Sequence, residues 1–359
     1  MKQGKKKKGM KVLMAGIFDL EDYMRGRVLY QGLKQNKVEV ELLLNQKQGK
    51  YRRLFRRFKQ GNFDVLLVNG KIVMLIAKLA MWWHKKPIIF DVFISDYDTL
   101  VQDRKIIREK SLKAKLLWLL DKYSCLFADA IILDTNAHVD FFVQEFNLSE
   151  EKFEVIPVGC DESIFKPRKK PETGKFLVSF YGSFIPLQGV QFIIKAAKLL
   201  QPMHVYFELI GEGQTYDTMK ELAKDLGCQN VQFLGKKPLQ ELPKHMAKAD
   251  VCLGIFGKTD KAKRVIPTKA YAALAMRKPL VTGDTPAARE LLKDSDTCIF
   301  CKMADGESLA NTIGLVKTDK IIREKIAENG YQLFVKKCSS KVIGKMLKDY
   351  LEKVVEHHR

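Results

Sequence analysis

Phe176-Leu177-Val178-Ser179-Phe180-Tyr181, followed at once by Gly182-Ser183-Phe184, is the stretch on which the reading of this sequence turns. A run of apolar and small residues without polar alternation suits a strand buried on both faces, as in a parallel sheet. Glycine directly after such a strand lets the backbone turn sharply and approach a ligand. Helical pattern resumes near Gln188. A helix opening behind such a turn offers unpaired N–H groups and the positive end of its dipole to an anion. Alone, the segment fits an ordinary strand-to-helix turn equally well.

Similar apolar runs recur on both sides of it. Lys11–Ala15, Glu39–Leu44, Val65–Val68, Pro87–Phe90 and Ala130–Leu133 precede it; Tyr206–Ile210, Val231–Leu234, Val251–Ile255, Leu280–Thr282 and Thr297–Cys301 follow. Helical segments separate them, so the expected class is α/β with two doubly wound, Rossmann-like domains facing a central cleft. The 359 residues are too many for one ordinary core. The polar stretch Cys160–Gly174, with Pro167 and Pro171, reads as the junction. The expected division is 1–165, a linker at 166–175, a second domain at 176–338 and a C-terminal helix at 339–359 packing back towards the first domain.

Three more loops repeat the strand-then-turn device. Ile210-Gly211-Glu212-Gly213 is one. Gly283-Asp284-Thr285-Pro286 is another, with Thr285 suited to an N-cap, Pro286 to a first helical turn, and Glu290 within the helix. The third is Lys263-Arg264-Val265-Ile266-Pro267-Thr268-Lys269-Ala270-Tyr271, ahead of a helix expected over Ile266–Met276. Arg264 and Lys269 bracket its start, where a diphosphate would meet both charge and helix dipole; a solvated basic loop fits the same residues. Cys298 and Cys301 form a CxxC by letters only, since residues three apart in a strand point to opposite faces. No His, Cys or carboxylate cluster has metal-ligand spacing, and no metal or cofactor is expected.

In this order the motifs resemble the retaining nucleotide-sugar glycosyltransferases of family 4, which have the GT-B fold. Val231-Gln232-Phe233-Leu234-Gly235, Ala249-Asp250-Val251 and Ala270–Val281 extend the match, as do Phe90-Asp91, Ser95-Asp96-Tyr97-Asp98 and Ile156-Pro157-Val158-Gly159 in the first half. The resemblance implies a nucleotide-sugar donor as substrate in the second domain and a glycan or lipid-linked acceptor in the first. It implies donor contacts at Gly182, Ser183, Gly211, Glu212, Gly213, Arg264, Lys269, Thr285 and Glu290. Arg264 and Lys269 are the expected leaving-group cations, and Asp91 the expected acceptor-side catalytic group. Gly16 and Arg25 are weaker candidates, and Asp134-Thr135 is expected to cap a helix. The family's Glu-x7-Glu positions read Arg264 and Ala272; its loop Arg and Lys read Ser183 and Gln188; a Gly reads Arg277 and a His reads Phe93. These departures leave a non-catalytic scaffold as the alternative.

The formal charge of +21 is concentrated at the front. Residues 1–60 hold 17 Lys and Arg against 5 Asp and Glu, beginning with Lys5–Lys8. Arg52, Arg53, Arg56, Arg57 and Lys59 alternate with Leu54, Phe55 and Phe58, a cationic helical face beside an aromatic one. Leu79, Met81, Trp82 and Trp83 precede Lys85 and Lys86. An anionic membrane surface is therefore expected at 50–60 and 79–86. No recognition helix or aromatic-basic sheet motif points to nucleic acid. Scattered, odd-numbered Cys and the lack of a secretory pattern or long apolar run suggest a cytoplasmic protein, at the inner face of the cell membrane.

Overall fold

The computed structural model describes residues 9–44, 49–172 and 174–358; the Lys5–Lys8 stretch lies outside them. Six strands form the first sheet: β1 (Lys11–Gly16), β2 (Glu39–Leu44), β3 (Val65–Asn69), β4 (Ile88–Asp91), β5 (Ala130–Leu133) and β6 (Phe153–Val155). Their spatial order is β2-β1-β3-β4-β5-β6, all parallel. Helices α1 (Met24–Gln35), α2 (Lys50–Gln60), α3 (Lys71–Ala80), α4 (Leu112–Phe127) and α5 (Asn136–Phe146) connect them. Only β6 escapes the sequence reading, because three half-buried edge residues around Glu154 carry no apolar run.

The second sheet holds β7 (Phe176–Tyr181), β8 (Val205–Ile210), β9 (Val231–Phe233), β10 (Val251–Leu253), β11 (Leu280–Gly283) and β12 (Ile299–Cys301). Its order, β12-β11-β10-β7-β8-β9, is again parallel throughout. Its helices are α6 (Val190–Leu200), α7 (Tyr216–Asp225), α8 (Leu242–Lys248), α9 (Thr268–Ala275), α10 (Pro286–Leu291), α11 (Gly306–Thr318) and α12 (Lys320–Lys337). Helix α9 starts two residues later than expected: Ile266 precedes Pro267, which disfavours helical backbone before it. Cys298 and Cys301 are core residues with thiols that burial pushes up.

Each sheet is covered on both faces. In the first, α2–α5 supply Leu54, Phe58, Met74, Cys125 and Phe142 to one core. On the other side α1 supplies Val28 and Leu29, while α13 (Ser340–His357) supplies Ile343 and Leu347. The last helix thus lies on the first domain. Gly32 of α1 and Gly344 of α13 meet backbone to backbone. The chain crosses between domains twice, side by side: the Cys160 N–H donates to the Cys338 carbonyl (3.3 Å) and Ser340 Oγ to the Cys160 carbonyl (3.3 Å).

Candidate active site between the two sheets

In an open parallel sheet the ligand crevice lies at the carboxyl ends of the strands, where the strand order reverses. In the second domain that point is between β7 and β10, and the loops leaving these strands carry Gly182 and Arg264. Gly182 has φ +154°, and its N–H donates to Ile210 (2.9 Å). Gly211, at φ +137°, packs directly on it, leaving no room for a side chain on either turn. Gly213 packs on Phe184 in the same way. The three glycines form one flat shelf, which Ser183 and Glu212 edge as exposed side chains.

Lys269 enters this shelf from below. It sits in the first turn of α9, 3% exposed. Its amine donates to Gln188 Oε1 and lies 3.8 Å from the Phe180 ring centroid. A Cβ on Gly182 would come within 2.6 Å of that amine. Among the described residues no carboxylate pairs with it. Burial pushes its pKa well below the ordinary lysine value. A desolvated amine beneath a glycine turn, held by a neutral amide oxygen and an aromatic face, is chemically suited to an anion.

Arg264 goes elsewhere. Its guanidinium donates to Asp98 of the first domain (2.6 Å) and lies 4.0 Å from the Phe141 ring centroid. Its carbonyl accepts from Thr135 Oγ1 (2.5 Å). The structure therefore parts the expected pair: Lys269 reaches the glycine shelf, whereas Arg264 is held across the domain boundary. Glu290 is likewise engaged, accepting from the Asn136 and Ala137 N–H groups (2.7 and 2.8 Å) at the start of α5. Thr285 is the N-cap of α10, accepting from Ala288 (3.1 Å). Ala272 is buried. Arg277 takes left-handed backbone, φ +54°, at the end of α9, the conformation a glycine would adopt without cost.

Asp91, the expected acceptor-side catalytic group, sits at the end of β4 in an ion pair. It is buried, and one carboxylate oxygen accepts from Arg25 Nε at 2.7 Å; Arg25 is itself fully buried. Burial raises the Asp91 pKa and Arg25 opposes the rise. Phe93, where the family has His, lies 5.3 Å from the Arg25 guanidinium. Gly16 faces Phe18. Thr135 does cap α5, accepting from His138 (3.1 Å), and Asp134 meets His138 Nδ1 at 2.8 Å.

Asp98, Lys261 and Gln188 complete the site without having been singled out as site residues. Asp98 lies in the Ser95–Asp98 motif and Lys261 just ahead of the basic stretch that begins at Lys263, but nothing in the sequence joins positions 163 residues apart. Among the described residues no group of three or more His, Cys, Asp or Glu is arranged to hold a metal.

Known proteins agree with this architecture. The family model described as Glycosyl transferases group 1 matches residues 161–333, and Glycosyltransferase Family 4 matches 29–164. A probable glycosyltransferase, WbjE of Pseudomonas aeruginosa, is 26% identical over 64% of this chain and 59% of its own length. The lipopolysaccharide core biosynthesis glycosyltransferase LpsE of Rhizobium meliloti is 24% identical over 46% and 47%. These alignments span about half of each curated relative. Among solved structures, Anabaena HepE with UDP-glucose superposes with TM-score 0.71 at 17% identity, covering 96% of this chain and all of that one. Sucrose-phosphate synthase of Thermosynechococcus elongatus gives 0.77 at 11%, covering 97% and 100%. Two parallel six-stranded sheets facing one crevice are the GT-B fold, and with both halves matched in order the chain belongs to the glycosyl transferases of group 1.

Proposed function

We propose that this protein is a retaining glycosyltransferase that moves a sugar from a nucleotide-sugar donor to a cell-surface polysaccharide or lipid-linked acceptor. The observation that carries this reading is Lys269: a buried amine without a carboxylate, under the Gly182 turn at the switch point of the second sheet. The donor diphosphate is the anion this amine would meet. Gln188 stands where the family's loop lysine is expected, and Lys269 donates to it from α9, which supports Lys269 as the cation at the diphosphate. As the bond from the sugar's anomeric carbon to the phosphate oxygen breaks, the acceptor hydroxyl forms its bond on the same face. Its proton passes to the departing phosphate oxygen. Charge grows on that phosphate, and a prepositioned cation there stabilises the transition state more than the ground state. The reaction so written draws on no metal and no protein nucleophile.

The outer face of the first domain supports an acceptor held at an anionic membrane. Trp82 and Trp83 are 73% and 82% exposed, not core. Leu79 on α3 and Leu112, Leu116 and Phe127 on the neighbouring α4 are exposed as well. Helices α2, α3 and α4 carry one carboxylate between them, Asp121, and it is buried. Leu54 and Phe58, by contrast, belong to the core, so only Tyr51 and Phe55 of α2 lend it exposed aromatic rings. Among the described residues no helix is long and apolar enough to cross a membrane. A cytoplasmic location at the inner membrane face follows as part of the same proposal.

Calorimetry with a panel of sugar nucleotides tests the donor site. One of them should bind, and Lys269→Ala should weaken it by on the order of 1.5–3 kcal/mol, the worth of a charged hydrogen bond. No affinity for any of them in the folded protein would leave the second reading, a non-catalytic GT-B scaffold. That reading is favoured by Ala272 and by the engagement of Arg264 and Glu290 with the first domain.

A further inference from the structure

We infer that Asp98, in the acceptor domain, is the positioning residue that holds the donor domain's loop 260–264 in register, so that its two buried or half-buried cations are oriented only across the closed domain boundary. This rests on the donor reading above.

The Asp98 side chain has no exposure. One carboxylate oxygen accepts from Arg264 at 2.6 Å; the other has Lys261 Nζ at 3.4 Å and no hydrogen bond of its own. Lys261 also donates to Thr99 Oγ1. Burial lowers the Lys261 pKa, and Asp98 first and Asp103 second oppose the shift. Asp98 thus faces two second-domain cations across a buried boundary, with Asp103 adding a second first-domain carboxylate near Lys261, and removing Asp98 leaves Arg264 without its carboxylate partner.

Asp98 is itself braced. Its N–H donates to Ser95 Oγ (2.9 Å), and Ser95 Oγ donates to Asp121 (2.7 Å). Asp121 accepts from the Tyr97 N–H (2.9 Å) and pairs with Lys71 (3.2 Å). The carboxylate therefore cannot follow a loop that moves; the loop must come to it. On the other side, the short helical turn Asp260–Lys263 abuts the Pro186–Gln188 turn, whose Gln188 holds Lys269. Displacing Arg264 and Lys261 would be felt at the diphosphate shelf through that contact.

The experiment compares the full chain with Asp98→Asn and Asp98→Glu. Amide exchange read by mass spectrometry over 260–268 needs no ligand. It should quicken at least tenfold in Asp98→Asn and recover in part in Asp98→Glu. Unchanged exchange in a folded Asp98→Asn protein overturns the inference, whatever the nucleotide results. With the best binder among UDP, GDP and ADP, Asp98→Asn should weaken binding about tenfold, and should add little further loss in an Arg264→Ala, Lys261→Ala background. A full additional loss there would show that Asp98 acts through something other than those cations. Tighter binding in Asp98→Asn would show that Asp98 sequesters them, and would equally overturn a positioning role. If no nucleotide binds the parent protein, the donor reading falls and the exchange result still decides the role of Asp98.

Discussion

A buried lysine amine with a neutral amide oxygen and an aromatic ring for partners, and no carboxylate, costs desolvation that an arriving anion would offset. Lys269 is in that position, and two outcomes follow. Lys269→Met should raise the thermal midpoint of the ligand-free protein, because it removes a desolvated amine, while lowering nucleotide affinity. The sign of the pH dependence is also set. The folded value is depressed, so below the ordinary lysine value of about 10.4 the unfolded chain binds more protons. The Lys269 contribution to ligand-free stability should therefore rise with pH through that window, against the opposite trend of the thiols and phenols whose pKa burial pushes up. The difference between parent and Lys269→Met isolates it: the gain in stability from Lys269→Met should shrink as pH rises. Urea midpoints across pH measure it. Ala272 reads differently in the fold than in the motif. Ala272→Glu, which restores the family's letter, would place a carboxylate in a packed helix face 1% exposed. It should cost about 2–4 kcal/mol of stability rather than improve ribose binding. A Glu variant as stable as the parent and tighter for nucleotide would reverse that conclusion.

Two elements join otherwise separate parts. Helix α13 belongs by sequence to the end of the second domain and by packing to the first, where its Gly344 lies on Gly32 of α1. A Cβ there would strike backbone, which cannot move aside as a side chain can. Gly344→Val should cost about 2–3 kcal/mol, read as a lowered urea midpoint. Helix α2 divides its arginines between two tasks. Arg57 makes a two-point pair with Glu41 at 2.6 and 2.5 Å, so it braces the edge strand β2. Arg52, Arg53 and Arg56 are exposed and have no partner among the described residues. Replacing these three with Ser should release the protein from anionic vesicles, at roughly 1 kcal/mol per arginine. Arg57→Ser should instead lower stability. Sedimentation with anionic and neutral vesicles, repeated at high salt, checks the difference; equal retention of parent and triple variant would exclude this face.

At the scale of the molecule, both domains contribute to closing the crevice. Glu290 caps the first turn of α5, adding a carboxylate to a helix N-terminus, an arrangement worth about 0.5–2 kcal/mol. It does so from the opposite domain, so the cap forms only on closure. Glu290→Ala should raise the radius of gyration in solution scattering of the ligand-free protein and leave each domain's helix content unchanged by circular dichroism. An unaltered scattering profile would mean the remaining contacts suffice to keep the crevice shut.

Much of this protein was legible from its residues. Two sets of buried parallel strands and the glycine turns after β7 and β8 follow from local rules. Continuous apolar runs demand cover on both faces, and glycine alone accepts the backbone those turns require. The family signature lay in the same residues, because it is written in strand ends and turns. What only the tertiary structure decided is which charges face each other. Arg264 and Lys269 stand five residues apart and read as one site, yet they diverge. Asp91 reads as a cleft carboxylate and is spent on Arg25. Asp98 reads as one acid in a loop and becomes the counter-charge of a distant cation. Charge pairing depends on distance through space and on burial, and neither is encoded by spacing along a chain that folds into two domains and crosses between them twice.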